Sequence, residues 1–364
     1  MISDLRVRNF KSLANVNLEL ARPTVLIGRN DARKSDIIDV LRFVRDCVTD
    51  GLDKALTDRH GIEGVRRFGR TRPFEVEISL TTSSSEVYQI TLTGRGTVKE
   101  ERYSGGQHGF LARDGRIEHM TGPLAESLQG SSFGATDLVL RRFGSMRLRM
   151  NLQSMVFFGV YPNTVREPQR AAPTRRLEDD GRNLASVLQH LTPARHEAVR
   201  QALVTIVPEI TDFRVERLGG WLSVRLLHGD FPVDAYHESD GTLRALALAT
   251  ALAAFRDRSG PSLLAIEEPE LGLHPGALAA LWTVISAASG ARTIVITTHS
   301  PDLLSRVPVE VVRVVHMDDG VTQVAPLERH QVEAVQKELF TTGDLLRIGA
   351  LEPSLMEGSS PATR

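Results

Sequence analysis

Apolar and polar residues alternate over positions 2–8 and again over 15–20. They then give way to a short apolar run, 24–27, that ends at Gly28. Alternation with period two predicts half-buried strands, and a short unbroken apolar run predicts a fully buried one. Over 35–48 the spacing changes: Ile37, Ile38, Leu41, Val44 and Val48 recur at helical intervals. The chain therefore opens as strand, loop and helix. Residues 74–80 and 87–92 alternate strictly around a turn at 81–85, which predicts an antiparallel hairpin continued by 97–103. Residues 104–135 are glycine-rich and show no clear period. The pattern is helical over 185–207, with Pro193 at a helix start, and predicts paired strands over 211–227 around Gly219-Gly220. A helix at 242–256, a buried strand at 262–266, a helix at 275–288 and a second buried strand at 293–297 follow. A hairpin of 309–316 with 321–326 comes next. The tail, 353–364, is rich in Pro, Ser and Gly and is expected to be disordered.

The 364 residues suffice for one large α/β domain or two modest ones. A hydrophobic content of 41% and a net charge of −1 are ordinary, and give no global attraction to nucleic acid. The positive charge is nearly all arginine, with lysine only at Lys11, Lys34, Lys54, Lys99 and Lys337. That bias suits forked contacts to phosphate or carboxylate, and equally fits a GC-rich genome. Cys47 is the only cysteine, which excludes an intrachain disulfide and a cysteine-based zinc site. The first residues lack a leader's apolar core. The longest apolar run, 245–255, is far shorter than the roughly 20 residues of a membrane span. A cytoplasmic protein without a membrane partner is expected.

Four segments carry candidate chemistry. The loop Gly28-Arg29-Asn30-Asp31-Ala32-Arg33-Lys34-Ser35 follows a strand and opens a helix. Backbone N–H groups and a helix N-terminus there favour a triphosphate, with Lys34 on the β and γ phosphates and Ser35 on Mg²⁺. The pattern G-x-x-x-x-G-K-[ST] asks for glycine where Arg33 stands, because phosphate comes close to the backbone and the position favours an unusual φ. The strand before Glu267-Glu268-Pro269-Glu270 ends in two carboxylates. Glu267 is assigned to the metal and Glu268 to polarising the attacking water. The strand before Thr298-His299-Ser300 ends in a histidine that suits a γ phosphate or the attacking water. Ser239-Asp240-Gly241-Thr242 opens a helix, and its hydroxyl and free N–H groups suit an anion. Taken singly, each has an ordinary alternative: a strand-to-helix turn, solvated acids at a strand edge, a hydrogen-bonded structural histidine, a helix cap.

In this order the set resembles the ABC-type ATPase heads of the RecF/SMC/Rad50 group, and especially the AAA-family ATPases related to OLD proteins. Arg6 to Ser12 resembles their opening strand, Ser239 to Arg244 their signature, Glu267 to Pro275 their Walker B and D-loop, Thr298 to Pro301 their switch, and Gly343 to Glu352 a common ending. The resemblance covers about 1–352 and implies a P-loop NTPase fold. That fold is an ABC-type head with core segments at about 1–50 and 232–326, and an antiparallel β subdomain and helical lobe inserted at about 51–231. It implies ATP and Mg²⁺ as cofactors. It implies catalytic roles for Glu268 and His299, nucleotide contacts from 28–35, Ser239 and Gly241, and metal ligation by Ser35 and Glu267. Such heads close as homodimers on ATP, with Ser239 acting in trans. Glu238 stands where a leucine often precedes the serine. No glutamine is assigned to the Q-loop, and the sequence carries neither a long coiled coil nor the acidic cluster of a Toprim nuclease.

Two functions stay open: a slow ATPase whose nucleotide state drives dimer closure in DNA repair or phage defence, or a scaffold whose nucleotide binding Arg33 impairs. On the second, Arg33→Gly is expected to raise affinity and turnover. Arg141, Arg142, Arg147, Arg149, Arg166, Arg170, Arg175 and Arg176 form a basic block with Glu167 the only acid among 141–176, and 59–72 is also basic. This is either a duplex-DNA contact or a solvated face. A separately encoded effector such as a nuclease is a further possible partner.

Overall fold

The computed structural model describes residues 1–29, 32–67, 75–143, 145–174, 177–255, 260–290 and 292–354. Asn30, Asp31, Arg70, Arg72, Phe74, Arg175, Arg176 and Arg256, and the tail from 355 onward, lie outside the described residues, as do the expectations that fall on them. The chain forms two compact units, one of 1–155, 309–337 and 351–364, the other of 156–308 and 338–350.

The first unit holds a seven-stranded antiparallel sheet. Its order is Leu13–Glu19, Ile2–Phe10, Val76–Thr82, Val87–Leu92, Val98–Gly105, His108–Arg113 and Arg116–Thr121. Alternate residues are buried along Val76–Thr82, as a one-sided sheet requires, and the register sets Val7 opposite both Val16 and Ile78. The last two strands fall in the glycine-rich stretch that shows no period. Their turn is Asp114-Gly115, with φ 45° and 76°, the pair of left-handed residues a two-residue hairpin favours. The same unit carries the strand Thr24–Ile27, paired in parallel with Val312–Asp318, which in turn pairs antiparallel with Val321–Ala325. The strand expected from 309 begins only at 312, because Val309–Val311 forms a 3₁₀ turn. The helix Lys34–Thr49 follows the loop and buries Ile37, Ile38, Leu41, Val44 and Val48, the positions its spacing marks.

The second unit holds three parallel strands, with Leu263–Glu267 between Thr293–Thr298 and Val156–Phe158. All three bury nearly every residue, which explains their unbroken apolar runs. Val156–Phe158 has three residues, too few for a period to show. The helices Asp240–Phe255 and Leu278–Ser289 belong to this unit, the latter preceded by a 3₁₀ turn at Pro275–Ala277. So does an antiparallel sheet ordered Gln169–Arg170, Trp221–His228, Asp212–Leu218, with Phe231–Asp234 also paired to Trp221–His228.

Residues 352–354 are hydrogen-bonded to the segment 326–331. Glu352 N–H donates to Gln331 Oε1 at 3.1 Å and Ser354 N–H to the Pro326 carbonyl at 2.8 Å. Among the described residues no helix is long and apolar enough to cross a membrane.

Candidate nucleotide site

In the first unit, the loop after Thr24–Ile27 is shaped by close backbone approach. A Cβ on Gly28 would lie 2.1 Å from the Val315 carbonyl oxygen, so the loop cannot start with any other residue without moving the neighbouring strand. The buried Lys34 turns its ammonium back over the loop, donating to the carbonyls of Gly28 at 2.8 Å and Arg29 at 3.1 Å. Arg33 has φ 60° and ψ 40°, the left-handed conformation, and is exposed. Position 33 therefore adopts the backbone that glycine would take most easily, with the guanidinium turned to solvent. Ala32 is buried and Ser35 exposed in the first turn of the sixteen-residue helix. A glycine cradle, two cationic residues and a helix N-terminus are chemically suited to an anion.

Behind this loop, the Ser12 hydroxyl donates to Asp36 Oδ2 at 2.6 Å and accepts from Thr322 Oγ1 at 2.7 Å. Lys11 reaches Asp39 at 2.7 Å. The opening strand thus ends in residues that fix the first turn of the helix, which gives Lys11-Ser12 a physical role.

In the second unit, parallel pairing of Leu263–Glu267 with Thr293–Thr298 sets Glu267 opposite Thr297. The residues just beyond both strand ends therefore gather at one edge, where parallel sheets carry their sites. Glu268 turns the chain at φ 47°, and its N–H donates to the Thr297 carbonyl at 3.0 Å. The turn brings Glu268 Oε1 to 3.4 Å from His299 Nε2, with both side chains about one-third exposed (34% and 31%). So the structure brings together the two residues expected to act on water.

Glu270, whose role the sequence pattern does not mark, organises this edge. Its Oε1 accepts from Thr298 Oγ1 at 2.5 Å and from the His299 N–H at 3.2 Å, and its Oε2 is buried without a hydrogen-bond partner among the described residues. Burial raises its pKa above the ordinary carboxylate value and the Glu268 charge adds to the rise, against the lowering effect of these hydrogen bonds. Its signal in the sequence was a second acid spaced two residues after Glu268.

Ser239 Oγ accepts from the Thr242 N–H at 3.1 Å, so the serine caps the helix that follows. A Cβ on Gly241 would lie 2.1 Å from the Gly272 carbonyl, which fixes glycine there by packing against the loop after Glu270. Ser239, Gly241, Thr242, Gly272, Leu273 and His274 line part of a cavity of about 500 Å³. Glu238 is buried, with Oε1 at 2.7 Å from His228 Nε2.

The basic block is less free than its sequence suggests. Arg142 pairs with Asp137 at 3.2 Å, Arg147 with Glu86 at 2.8 Å and Arg166 with Asp240 at 2.6 Å. Arg170 stacks over Trp221 at 5.4 Å, and Arg141 and Arg149 donate to the carbonyls of Thr49 and Arg141. Among the described residues no cluster of three or more His, Cys, Asp or Glu side chains forms a metal site.

Residues 165–305 match the family described as "AAA domain, putative AbiEii toxin, Type IV TA system". The chain is 25% identical over 352 residues to "Uncharacterized protein YbjD" of Escherichia coli (strain K12), across 85% of this chain and 60% of that protein. It thus spans about 60% of that relative's length. An 81-residue stretch, 21% of this chain and 8% of the relative, is 38% identical to ABC transporter A family member 6 of Arabidopsis thaliana. Among solved structures, an SmcHead bound to the C-winged helix domain of ScpA matches with a TM-score of 0.62 at 14% identity, over 91% of this chain and 99% of that one. An Smc head domain from Pyrococcus furiosus, bound to the C-terminal domain of ScpA, matches at 0.62 and 13%, over 93% and 99%.

Proposed function

We propose that this chain, which has the fold of an ABC-type, SMC-like ATPase head, binds ATP with Mg²⁺, hydrolyses it slowly, and uses the bound state to close a homodimer. The observation that carries the reading is the 3.4 Å approach of His299 to Glu268 at the ends of neighbouring parallel strands. In this reading Gly28, Arg29, Asn30, Asp31, Ala32 and Arg33 supply the loop, Lys34 binds phosphate, and Ser35 and Glu267 hold Mg²⁺. The metal, when bound, neutralises phosphate charge. Glu268 accepts the proton of the attacking water, and His299 holds that water or the terminal phosphate by a hydrogen bond. In this reading Ser239 and Gly241, at a capped helix start, contact the nucleotide of a second copy.

The test is an ATPase and binding assay on the unaltered chain and two variants. Lys34→Ala is expected to lose nucleotide binding. Glu268→Gln is expected to keep binding and lose turnover by about 100-fold or more. Retained turnover in Glu268→Gln removes Glu268 from the chemistry.

A second reading, a scaffold with impaired nucleotide binding, draws support from the left-handed non-glycine residue at 33. It predicts no measurable binding of a non-hydrolysable ATP analogue by the unaltered chain. A role in DNA repair or phage defence, with duplex DNA or a separate effector, extends the first reading. Three arginines of the 141–176 block already engaged by carboxylates leave less charge there for DNA. Turnover measured with and without duplex DNA at two salt concentrations tests that extension, because phosphate contacts weaken steeply with salt.

A further inference from the structure

Ser239 is flanked by two acids, Glu238 and Asp240. A segment meant to receive phosphate gains nothing from carboxylates on both sides, since each repels the incoming anion. Both acids are engaged. The Glu238 carboxylate is buried and lies 2.7 Å from His228 Nε2, at the end of the strand Trp221–His228. The Asp240 carboxylate is largely exposed and accepts from Arg166 Nη2 at 2.6 Å. The same nitrogen donates to the Glu238 carbonyl at 3.1 Å, so one guanidinium nitrogen spans the serine from the residue before it to the residue after it. The other terminal nitrogen, Nη1, donates to Asn163 Oδ1 at 2.5 Å, which sets the guanidinium from its own helix, Pro162–Arg166.

We propose that Arg166 is a positioning residue for Ser239: it holds the backbone carbonyl before the serine and neutralises the Asp240 side chain after it, so that the helix start can accept a phosphate from a second copy of this chain. The role rests on the dimer reading above. Arg166 touches no nucleotide in it, and acts only through residues 238–240. The His228–Glu238 contact is the matching device on the other side. It gives the departure at position 238 a purpose, because an acid there anchors the segment to the neighbouring strand where a leucine could only pack.

The experiment uses the full chain carrying Glu268→Gln, with ATP and Mg²⁺, and reads self-association by sedimentation and nucleotide binding by a fluorescent ATP analogue. Adding Arg166→Gln is expected to weaken nucleotide-dependent self-association by about tenfold or more, because it strips the charge from a close ion pair. Analogue binding at low protein concentration and the melting temperature are expected to stay unchanged. Arg166→Lys is expected to keep part of the association, and Asp240→Asn added to Arg166→Gln to restore most of it. Unchanged association in Arg166→Gln overturns the role, as does a loss that Asp240→Asn fails to restore. If the Glu268→Gln parent itself does not associate with ATP, the dimer reading falls first and the role of Arg166 with it.

Discussion

At the scale of single residues, the loop turns on Arg33. Its backbone sits at φ 60°, where a side chain costs about 1–2 kcal/mol relative to the right-handed region. The cost is met inside the fold, and the Arg33 side chain is exposed. The sequence pattern alone led to the expectation that Arg33→Gly would raise affinity; the exposed side chain moves the expected change to within about threefold, with titration calorimetry of a non-hydrolysable ATP analogue as the check. A change well beyond that range restores Arg33 as an obstacle. Arg33→Val is the sharper probe, since a β-branched residue is a true outlier at positive φ. It is expected to weaken binding by about tenfold or more, as the first turn of the helix shifts to relieve it.

At the scale of elements, close approaches explain the glycines that motif spacing can only mark. Gly343, in the helix Thr342–Arg347, leaves no room for a Cβ: the Pro301 carbonyl and Ser305 Oγ would each lie 2.1 Å away. That helix, capped by a Thr341–Asp344 capping box and ion-paired from Arg347 to Asp302, braces the segment that follows His299. Gly343→Ala is therefore expected to destabilise the second unit by ~1–3 kcal/mol in urea unfolding. It is also expected to lower turnover more than nucleotide binding, because the displaced segment begins two residues after His299. What was legible in the sequence follows the same line. The helix at Lys34–Thr49 and the strands ending at Glu267 and Thr298 announce themselves by period or by apolar runs. Val156–Phe158 does not, because its identity as a strand lies in its pairing with Leu264, Ala265 and Ile266, far along the chain. The hairpin at Asp114-Gly115 is not legible from the alternation, which the glycines around it blur; its turn pair is the one local signal. Glu270 and Arg166 were visible only as an acid near a motif and one arginine in a basic block, since what each does depends on partners 28 and 74 residues away.

At the scale of the whole molecule, two quantities are set by charge: its response to pH and its tendency to self-associate. A buried pH element is Glu101, whose carboxylate accepts from the N–H groups of Val139 at 2.6 Å and Leu140 at 3.0 Å and from the Tyr88 hydroxyl at 3.0 Å. Burial raises its pKa from 4.5 to about 7, against the lowering effect of those hydrogen bonds. A folded value above the unfolded one means the folded state holds the proton more tightly. The stabilisation is complete below about 4.5 and is lost as pH rises through about 7. The shift is worth ~3 kcal/mol in the first unit. Urea unfolding across pH 5 to 8 is expected to show this fall, and Glu101→Gln, a neutral side chain of the same shape, to flatten it. Self-association is expected to be governed differently. With a net charge of −1, two copies do not repel each other over long range, so a dimer needs no salt to form. On the proposed dimer, closure is expected to depend on local phosphate contacts at Ser239 and Gly241. The Glu268→Gln chain is expected to double its mass in sedimentation with ATP and Mg²⁺, weakly affected by moderate salt. Ser239→Arg, which places bulk on the capped helix start beside the cavity, is expected to keep it monomeric with ATP still bound. A dimer that forms equally without nucleotide, or that survives Ser239→Arg, would mean that copies of this chain meet through some other face.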